Sequence, residues 1–290
     1  MKLLHSRVPY NFGGLEFSEF GKSKAVVLPV PYDATSSYGG GARNGPQAII
    51  SASRNMELFD LELGREPAEV GIFTLDELEP STASPEKNAK RVEDAVSKIA
   101  EAKKFPLLLG GEHSISIGAI RALKKKHGKF TILQFDAHPD LRDEYEDSKY
   151  NHACVMRRAL EEGCNLVQVG IRSVCKDDYS FMQKNKKTIM TFFAKDMDEW
   201  DVSQIVSSCS ENVYISFDLD ALDTSIMPST GTPEPDGMFF AEAVEIISEV
   251  CKQKKIIGAD VVELAPIPGL IAPDFLSARL AYKIIGNAVK

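Results

Sequence analysis

Short apolar segments alternate with longer segments of helical periodicity along most of the chain, and this alternation constrains the fold most strongly. Eight apolar segments are rich in β-branched and aromatic residues and are mostly continuous, which is typical of strands covered by helices on both faces. We predict strands over residues 25–30, 70–74, 105–109, 130–135, 166–169, 188–192, 213–217 and 256–262. Helices are predicted over residues 84–104, 118–126, 178–187, 241–254 and 272–289. The pattern therefore indicates an α/β protein with a mainly parallel sheet flanked by helices.

The 290 residues are predicted to form one domain, spanning residues 1–290. This length permits one large domain or two ordinary ones, but the chain has no internal repeat and no linker rich in Pro, Gly or Ser. Eight strands suit either a doubly wound open sheet or a closed (β/α)8 barrel, and the pattern alone leaves both open. In either fold, ligands bind at the carboxyl ends of the strands, so a functional site is expected in the loops that follow them.

The composition argues against several kinds of partner. With 34 Lys and Arg against 42 Asp and Glu the net charge is −8, and no basic block is long enough to indicate nucleic acid binding. No apolar run approaches the roughly 20 residues that span a bilayer, and charges at Lys2 and Arg7 interrupt any signal-peptide core. The five cysteines lack CxxC spacing, which predicts free thiols. We therefore expect a cytoplasmic protein without a nucleic-acid or membrane partner.

Side chains of metal-ligand type follow three of the predicted strands. Strand 105–109 continues into Gly-Gly-Glu-His-Ser, strand 130–135 into Asp-Ala-His-Pro-Asp, and strand 213–217 into Asp-Leu-Asp. The candidate ligands are His113, Asp136, His138, Asp140, Asp218 and Asp220. If the extended conformation continues past residue 135, the spacing of two residues places Asp136, His138 and Asp140 on one face. A single aspartate after a strand is commonly a helix cap, but four carboxylates at one edge would repel one another unless cations compensate them.

The ligand types indicate the metal and its number. Carboxylates and imidazoles without a thiolate suit Mn²⁺ best, with Fe²⁺, Co²⁺ or Zn²⁺ as alternatives. Six ligands are too many for one catalytic ion that keeps an open position, but they suit two ions that share carboxylates. Such a pair makes water nucleophilic near neutral pH, so the predicted chemistry is hydrolysis.

Several segments resemble the ureohydrolases, the arginase–agmatinase family. The metal-ligand segments are GGEHS (110–114), FDAHPDLRD (135–143) and SFDLDALDTSIMPSTGTP (216–233), and the others are LPVPYDATSSYGGGARNGPQAI (28–49) and VGIRS (169–173). The resemblance spans most of the chain and is closest to the agmatinases. It implies an arginase-like three-layer sandwich around an eight-stranded sheet, assembled as a homotrimer or homohexamer.

The resemblance also implies roles for the ligands. His113, Asp136, Asp140 and Asp218 would hold the first Mn²⁺. Asp136, His138, Asp218 and Asp220 would hold the second, so that Asp136 and Asp218 bridge the two ions. A hydroxide between the metals, oriented by Asp140, would attack the guanidinium carbon of a small cationic substrate and release urea and an amine.

Three further residues match positions of the family. His152 corresponds to a mobile histidine that shuttles a proton to the leaving amine, a task suited to imidazole. Glu263 corresponds to a glutamate that anchors the guanidinium through charge-assisted hydrogen bonds. Thr232 corresponds to a threonine near that anchor.

The substrate predicted from these segments is agmatine, which would give putrescine and urea for polyamine synthesis. Residues 141–151 include four acidic side chains, which are poor partners for the α-carboxylate of arginine. Cys175 stands where arginases place an aspartate, and TPEP at 232–235 looks like an agmatinase segment. Asp236 departs from the glycine that agmatinases commonly have there. Arginase activity or hydrolysis of guanidinobutyrate or guanidinopropionate remains an alternative.

Two other classes of function fit the same ligands. A dinuclear phosphoesterase or amidase would use the metals similarly, and Arg142 and Arg172 are the nearby candidates for binding phosphate. A regulator that only retains metal would not need the shuttle at His152 or the anchor at Glu263, yet both positions are filled.

Overall fold

The computed structural model describes residues 9–290. The segment 1–8, whose charges argue against a signal peptide, lies outside the described residues. Within the described range no helix is long and apolar enough to cross a membrane. All five cysteines are free thiols, as predicted, and four of them are buried.

Eight strands of the described residues form one sheet, and every pairing between them is parallel, so the predicted mainly parallel sheet is confirmed. The strands are β1 Ala25–Val30, β2 Ile72–Thr74, β3 Phe105–Gly110, β4 Thr131–Phe135, β5 Asn165–Ile171, β6 Ile189–Phe193, β7 Asn212–Asp218 and β8 Lys255–Val262. Their order across the sheet is β2-β1-β3-β8-β7-β4-β5-β6. The sheet has two edge strands, β2 and β6, so it is the open form and not the closed barrel.

Between residues 9 and 290, eight α-helices accompany the sheet. They are α1 Gly45–Ser53, α2 Pro85–Glu101, α3 Ile115–His127, α4 Val155–Glu161, α5 Lys176–Lys184, α6 Val202–Ser208, α7 Phe240–Gln253 and α8 Ala272–Ala288. The five predicted helices are present with shifted ends, whereas α1, α4 and α6 were not predicted. Ser84 caps α2 by accepting a hydrogen bond from Lys87 N, and Pro85 occupies the first turn, as its sequence indicates.

Apolar side chains on the two faces of the sheet form two separate cores, which makes the protein a three-layer sandwich. Along β1, Ala25 and Val27 join the core shared with α1, α6, α7 and α8. Val26 and Leu28 join the opposite core, shared with α2, α3 and α4. Because neighbouring side chains of a strand point to opposite faces, a strand buried on both sides is continuously apolar.

The four central strands position the candidate site. β3, β8, β7 and β4 are neighbours, and all run in the same direction, so their carboxyl ends meet at one edge. His113 follows β3, Glu263 follows β8, Asp218 ends β7, and Asp136 follows β4. Ligands of open parallel sheets bind at such an edge, where the strand order reverses.

Candidate metal centre and active site

Three carboxylates surround one imidazole nitrogen at the centre of this edge. His113 Nδ1 lies 2.9 Å from Asp140 Oδ2, 3.2 Å from Asp136 Oδ2 and 3.4 Å from Asp218 Oδ2. All four side chains are buried. Despite these short distances, Nδ1 is not placed to donate a hydrogen bond to any group of residues 9–290. A buried imidazole nitrogen that lies among carboxylate oxygens offers, together with them, the donor atoms that a divalent cation requires.

Hydrogen bonds on the other side of the imidazole explain its orientation. His113 Nε2 lies 2.9 Å from Ser216 Oγ, and Ser216 Oγ lies 2.9 Å from Asp260 Oδ1. Asp260 is buried within β8 and also accepts hydrogen bonds from Tyr214 and Ser116 at 2.6 Å each. This network turns Nδ1 toward the aspartates, as the outer contacts of metal-binding histidines commonly do.

A second group of candidate ligands shares Asp136 with the first. Asp136, His138 and Asp220 bring ligand atoms close enough together to hold a metal ion, as do His113, Asp136 and Asp140. His138 Nδ1 lies 2.9 Å from Asp220 Oδ2 and 3.7 Å from Asp136 Oδ1. Glu234 Oε1 lies 3.9 Å from the other imidazole nitrogen of His138. The shared carboxylate fits two ions that lie side by side.

The loop after β4 departs from the extended conformation that would place its ligands on one face. β4 ends at Phe135, and Asp140 adopts a left-handed backbone conformation with φ 52°. Gln134 Nε2 donates to Asp136 Oδ2 at 2.8 Å, and His138 N donates to Asp136 Oδ1 at 2.6 Å. A compact turn therefore brings Asp140 to the first group and His138 to the second, with Asp136 between them in both.

The crowded carboxylates shift the pKa values of the cluster strongly. Burial, followed by the charge of Asp136, raises the pKa of Asp140 to about 7. Burial, followed by the charges of Asp220 and Asp136, raises the pKa of Asp218 well above its usual value. Burial lowers the pKa of His138, but Asp220 and Asp136 raise it more strongly, to about 12. Cations among these groups would offset the repulsion, so the donor set fits a pair of divalent metals.

Arg172 holds the loops behind the second group of ligands, a role that the sequence did not reveal. Its Nη2 donates to the carbonyl oxygens of Asp220 at 2.6 Å and Glu234 at 2.8 Å, and its Nε donates to Pro235 O at 2.8 Å. The guanidinium is thus committed to backbone carbonyls. Arg142, the other candidate phosphate ligand, lies over the ring of Tyr145 with its guanidinium carbon 4.4 Å from the centroid.

A cavity of about 420 Å³ opens onto both groups of ligands. Glu263, whose φ is 69°, borders the cavity together with Thr232. Its Oε1 accepts a hydrogen bond from His113 N at 2.7 Å. Burial and the neighbouring Glu112 raise the pKa of Glu263 well above its usual value. Glu263 and the ligand cluster therefore lie around one cavity lined by several acidic side chains, which suits a cationic occupant.

His152 lies on the wall of the same cavity, in a short 3-10 helix that begins at its own position. Its Nδ1 lies 2.6 Å from Thr35 O, and its Nε2 lies 3.4 Å from Ser37 Oγ. The ring contacts Tyr145 edge to face, with a centroid distance of 6.2 Å. Burial lowers the pKa of His152, against the opposing effect of the hydrogen bond to Thr35.

The acidic residues of the 141–151 loop do not line this cavity. Asp143 pairs with Arg158 at 2.8 Å. Glu144, Glu146 and Asp147 line a separate groove. The expectation that these acidic side chains disfavour the α-carboxylate of arginine in the site is therefore wrong.

A different carboxylate occupies the cavity wall. Asp178, in the first turn of α5, is buried and lines the cavity beside Cys175, which caps that helix. Burial raises the pKa of Asp178, and the charge of Arg142 acts in the opposite direction. The sequence did not single out Asp178. A helical segment gives no sign in the sequence that its first turn faces a site formed by other elements.

The turn after TPEP accommodates its unusual aspartate. Asp236 has φ 62°, a left-handed conformation that glycine adopts readily and aspartate tolerates better than most residues. At Gly237 a Cβ atom would lie 2.5 Å from the carbonyl carbon of Leu222, so a side chain has no room there. The departure at Asp236 therefore leaves the backbone turn intact.

Comparison with known proteins agrees with this architecture. Residues 23–289 match the Arginase family. A relative from Synechocystis named N(1)-aminopropylagmatine ureohydrolase is 36% identical, over 98% of this chain and 97% of its own. An agmatinase from Pyrococcus horikoshii is 34% identical, over 91% of this chain and 92% of its own. The crystal structure of agmatine ureohydrolase of Thermoplasma volcanium superposes with a TM-score of 0.87 at 31% identity, covering 98% of this chain and 95% of that one. The arginase-like three-layer fold expected from the sequence is thus confirmed.

Proposed function

Because the chain belongs to the arginase family and is an agmatinase-type ureohydrolase, we propose that it hydrolyses agmatine to putrescine and urea. The family and the relatives support a guanidino substrate with a metal site of His and Asp ligands. The observation that carries the proposal is that Glu263 and the clustered aspartates share one cavity. A guanidinium group held by Glu263 would have its carbon beside the metal ligands, which is the geometry that its hydrolysis needs.

We assign the two metals to the ligands predicted from the sequence. His113, Asp136, Asp140 and Asp218 would hold one Mn²⁺, and Asp136, His138, Asp218 and Asp220 would hold the other. Mn²⁺ is proposed because the donors are oxygens and imidazole nitrogens without thiolates. When bound, two such ions supply water that is nucleophilic at neutral pH and polarise the group under attack.

We assign the proton transfer to His152 and the orientation of the attacking water to Asp140. A carbonyl oxygen only accepts hydrogen bonds, so the contact of His152 Nδ1 with Thr35 O requires a proton on Nδ1. Nε2 is then the nitrogen that gains and loses the second proton, and it lies near Ser37 on the cavity wall. His152 would deliver this proton to the leaving amine, while Asp140 would orient the attacking water.

N1-aminopropylagmatine is a second candidate substrate. The relative from Synechocystis is named for that activity. A second observation is Asp178, a buried carboxylate on the cavity wall that lies in a different element from the ligands and the anchor. A carboxylate there would suit the additional ammonium group of an aminopropyl extension.

The assay that tests the proposal measures urea release by Mn²⁺-loaded protein from a panel of guanidines. The panel comprises agmatine, N1-aminopropylagmatine, arginine, guanidinobutyrate and guanidinopropionate. We expect the highest kcat/KM with a substrate that ends in an ammonium group. Preference for the aminopropyl compound over agmatine would establish the second candidate. Preference for a substrate with a carboxylate would contradict both.

We further propose that the protein assembles as a homotrimer or homohexamer. Large apolar side chains are exposed around the start of α8 and the start of α7: Ile271 is 77% exposed, Phe239 53% and Phe275 39%. Exposed apolar surface of this kind commonly mediates association. Light scattering coupled to size-exclusion chromatography would test the assembly, and a monomer would contradict it.

A further inference from the structure

Thr35 contacts His152 through two different oxygen atoms. Its carbonyl oxygen lies 2.6 Å from the ring nitrogen Nδ1, and its side-chain Oγ1 accepts a hydrogen bond from the backbone N of His152 at 3.0 Å. These two residues are 117 positions apart in the sequence. One residue of the loop after β1 thus holds both the backbone and the ring of the histidine.

Glu112 determines which way the Thr35 hydroxyl points. Thr35 Oγ1 donates to Glu112 Oε1 at 2.8 Å, so the hydroxyl proton is directed away from His152. The Oγ1 lone pairs are therefore available to accept the backbone N–H of His152. Glu112 is fully buried and is itself held by Ser114, whose backbone N donates to Oε2 at 2.7 Å and whose hydroxyl donates to Oε1 at 2.8 Å.

This chain of contacts joins the loop after β3 to the cavity wall. Glu112 immediately precedes the candidate ligand His113, and Thr35 stands between Glu112 and His152. From this arrangement we propose that Thr35 is a positioning residue, oriented by Glu112, which fixes the place and the tautomer of His152. The inference rests on the proton-transfer role proposed for His152.

The effect on catalysis follows from the geometry of proton transfer. A shuttle works only when its titrating nitrogen comes within hydrogen-bond reach of the leaving group. Thr35 keeps the proton of neutral His152 on Nδ1 and leaves Nε2 on the side of Ser37, which lines the cavity. Loss of the Thr35 hydroxyl removes one of the two contacts, and the ring gains freedom to leave this position.

The test compares three variants, two at Thr35 and one at a control position. Thr35→Val removes the hydroxyl without changing the size of the side chain, and Thr35→Ser retains the hydroxyl. Thr131→Val is the control, because Thr131 Oγ1 makes the same kind of contacts with Ser210, donating to its Oγ at 2.9 Å and accepting from its N at 2.9 Å. Thr131 begins β4, at the opposite end of the strand from the site.

We expect Thr35→Val to lower kcat for agmatine about tenfold, with KM and bound Mn²⁺ unchanged. Thr35→Ser should restore most of the activity, and Thr131→Val should lower the melting temperature without lowering kcat. If Thr35→Val does not fold, Thr35→Ala provides the same comparison. An unchanged kcat in Thr35→Val or Thr35→Ala, or loss of bound metal from either variant, would overturn the inference.

A double-mutant cycle with His152→Asn shows whether Thr35 acts by positioning His152 or by a general effect on the structure of the site. If Thr35 acts through His152, Thr35→Val should cost little additional activity once His152 is replaced. Losses that multiply in the double variant would show that Thr35 acts independently of His152. A fully active His152→Asn variant would refute the proton-transfer role, and with it this inference, while the ureohydrolase assignment would stand. Absence of urea release by the unaltered protein would instead refute the proposed function.

Discussion

Ser216 Oγ lies 2.9 Å from His113 Nε2, on the side of the imidazole that faces away from the aspartates. The contact makes the orientation of a candidate metal ligand depend on β7 and, through Asp260, on β8. Both strands are central in the sheet, so the ligand is held from strands that are hydrogen-bonded to neighbours on both sides. Such support reduces the reorganisation needed when a metal binds.

Ser216→Ala should weaken Mn²⁺ binding about 10- to 100-fold, because His113 loses the partner that orients it. Ser116→Ala is the matched control, since the Ser116 hydroxyl donates to Asp260 at 2.6 Å, whereas its contact with His113 is made by its backbone N, which the substitution retains. Metal titration of both variants by calorimetry checks the difference. Equal affinities in the two variants would show that the orientation of His113 does not matter.

Asp136→Asn should lose both metals and nearly all activity, because Asp136 is the carboxylate shared by the two ligand groups. Elemental analysis of the purified variant measures the metal content directly. Asp76→Asn, an exposed aspartate outside the cavity, serves as the control and should retain two metals per chain. Near-normal Mn²⁺ in Asp136→Asn would remove Asp136 from the metal site.

Glu263→Gln should retain its metals but lower kcat/KM for agmatine about 10- to 100-fold, since a charge-assisted pair with the guanidinium is lost. Steady-state kinetics and metal analysis of the same preparation separate the two effects. Glu211→Gln, an exposed glutamate that precedes β7, should behave as the unaltered protein. Kinetics that do not change in Glu263→Gln would exclude this residue as the anchor.

Asp178→Asn should raise KM for N1-aminopropylagmatine more than for agmatine, because only the extended substrate offers a second ammonium group to the cavity wall. The neighbouring Asp177 is exposed, so Asp177→Asn is a control that changes the same charge one residue away. Parallel kinetics with the two substrates give the comparison. Equal effects on both substrates would place the distal ammonium elsewhere.

A buried ion pair far from the cavity predicts the acid sensitivity of the fold. Asp60 Oδ1 accepts a hydrogen bond from Lys283 Nζ at 2.9 Å, and both side chains are buried. Burial raises the pKa of Asp60, but Lys283 and backbone N–H groups outweigh it, so the pKa is lowered. The pair therefore stabilises the fold above the unfolded-state pKa of about 3.9, and this contribution is lost as the pH falls through the lower folded-state value.

Asp60→Asn should accordingly lower the free energy of unfolding by about 3 kcal/mol at pH 7, because it leaves the buried lysine without its buried carboxylate partner. The difference from the unaltered protein should shrink below about pH 4. Urea denaturation between pH 3 and 7 measures both values. Glu62→Gln changes the exposed partner of the same lysine and should cost less than about 1 kcal/mol. A difference that stays constant with pH would contradict this account.

The sequence predicts all eight strands because each is a run of apolar residues bounded by polar ones. The three helices that it misses, α1, α4 and α6, have seven to nine residues, too few turns for an amphipathic period to stand out. The helices that it does find have nine to 17 residues, and α2 also carries a cap at Ser84. Helix length therefore separates most of the helices found from those missed, and the exceptions are α1 and α5, which both have nine residues.

The candidate ligands could be predicted because they follow strands directly in the sequence. Their supporting residues could not, since the role of Ser216, Thr35 or Arg172 depends on contacts with distant segments. Asp260 is the exception that offered a signal, because a charged residue inside the continuous apolar strand β8 requires buried partners. The left-handed conformation at Asp140 was also not predictable, and it replaces the extended arrangement expected there.

The most direct test of the central claim is the stoichiometry of products from agmatine with Mn²⁺-loaded protein. We expect equal amounts of urea and putrescine. Removal of the metal with a chelator should abolish both products, and addition of Mn²⁺ should restore them. No urea from agmatine or from N1-aminopropylagmatine, with two metals per chain verified in the same sample, would contradict it.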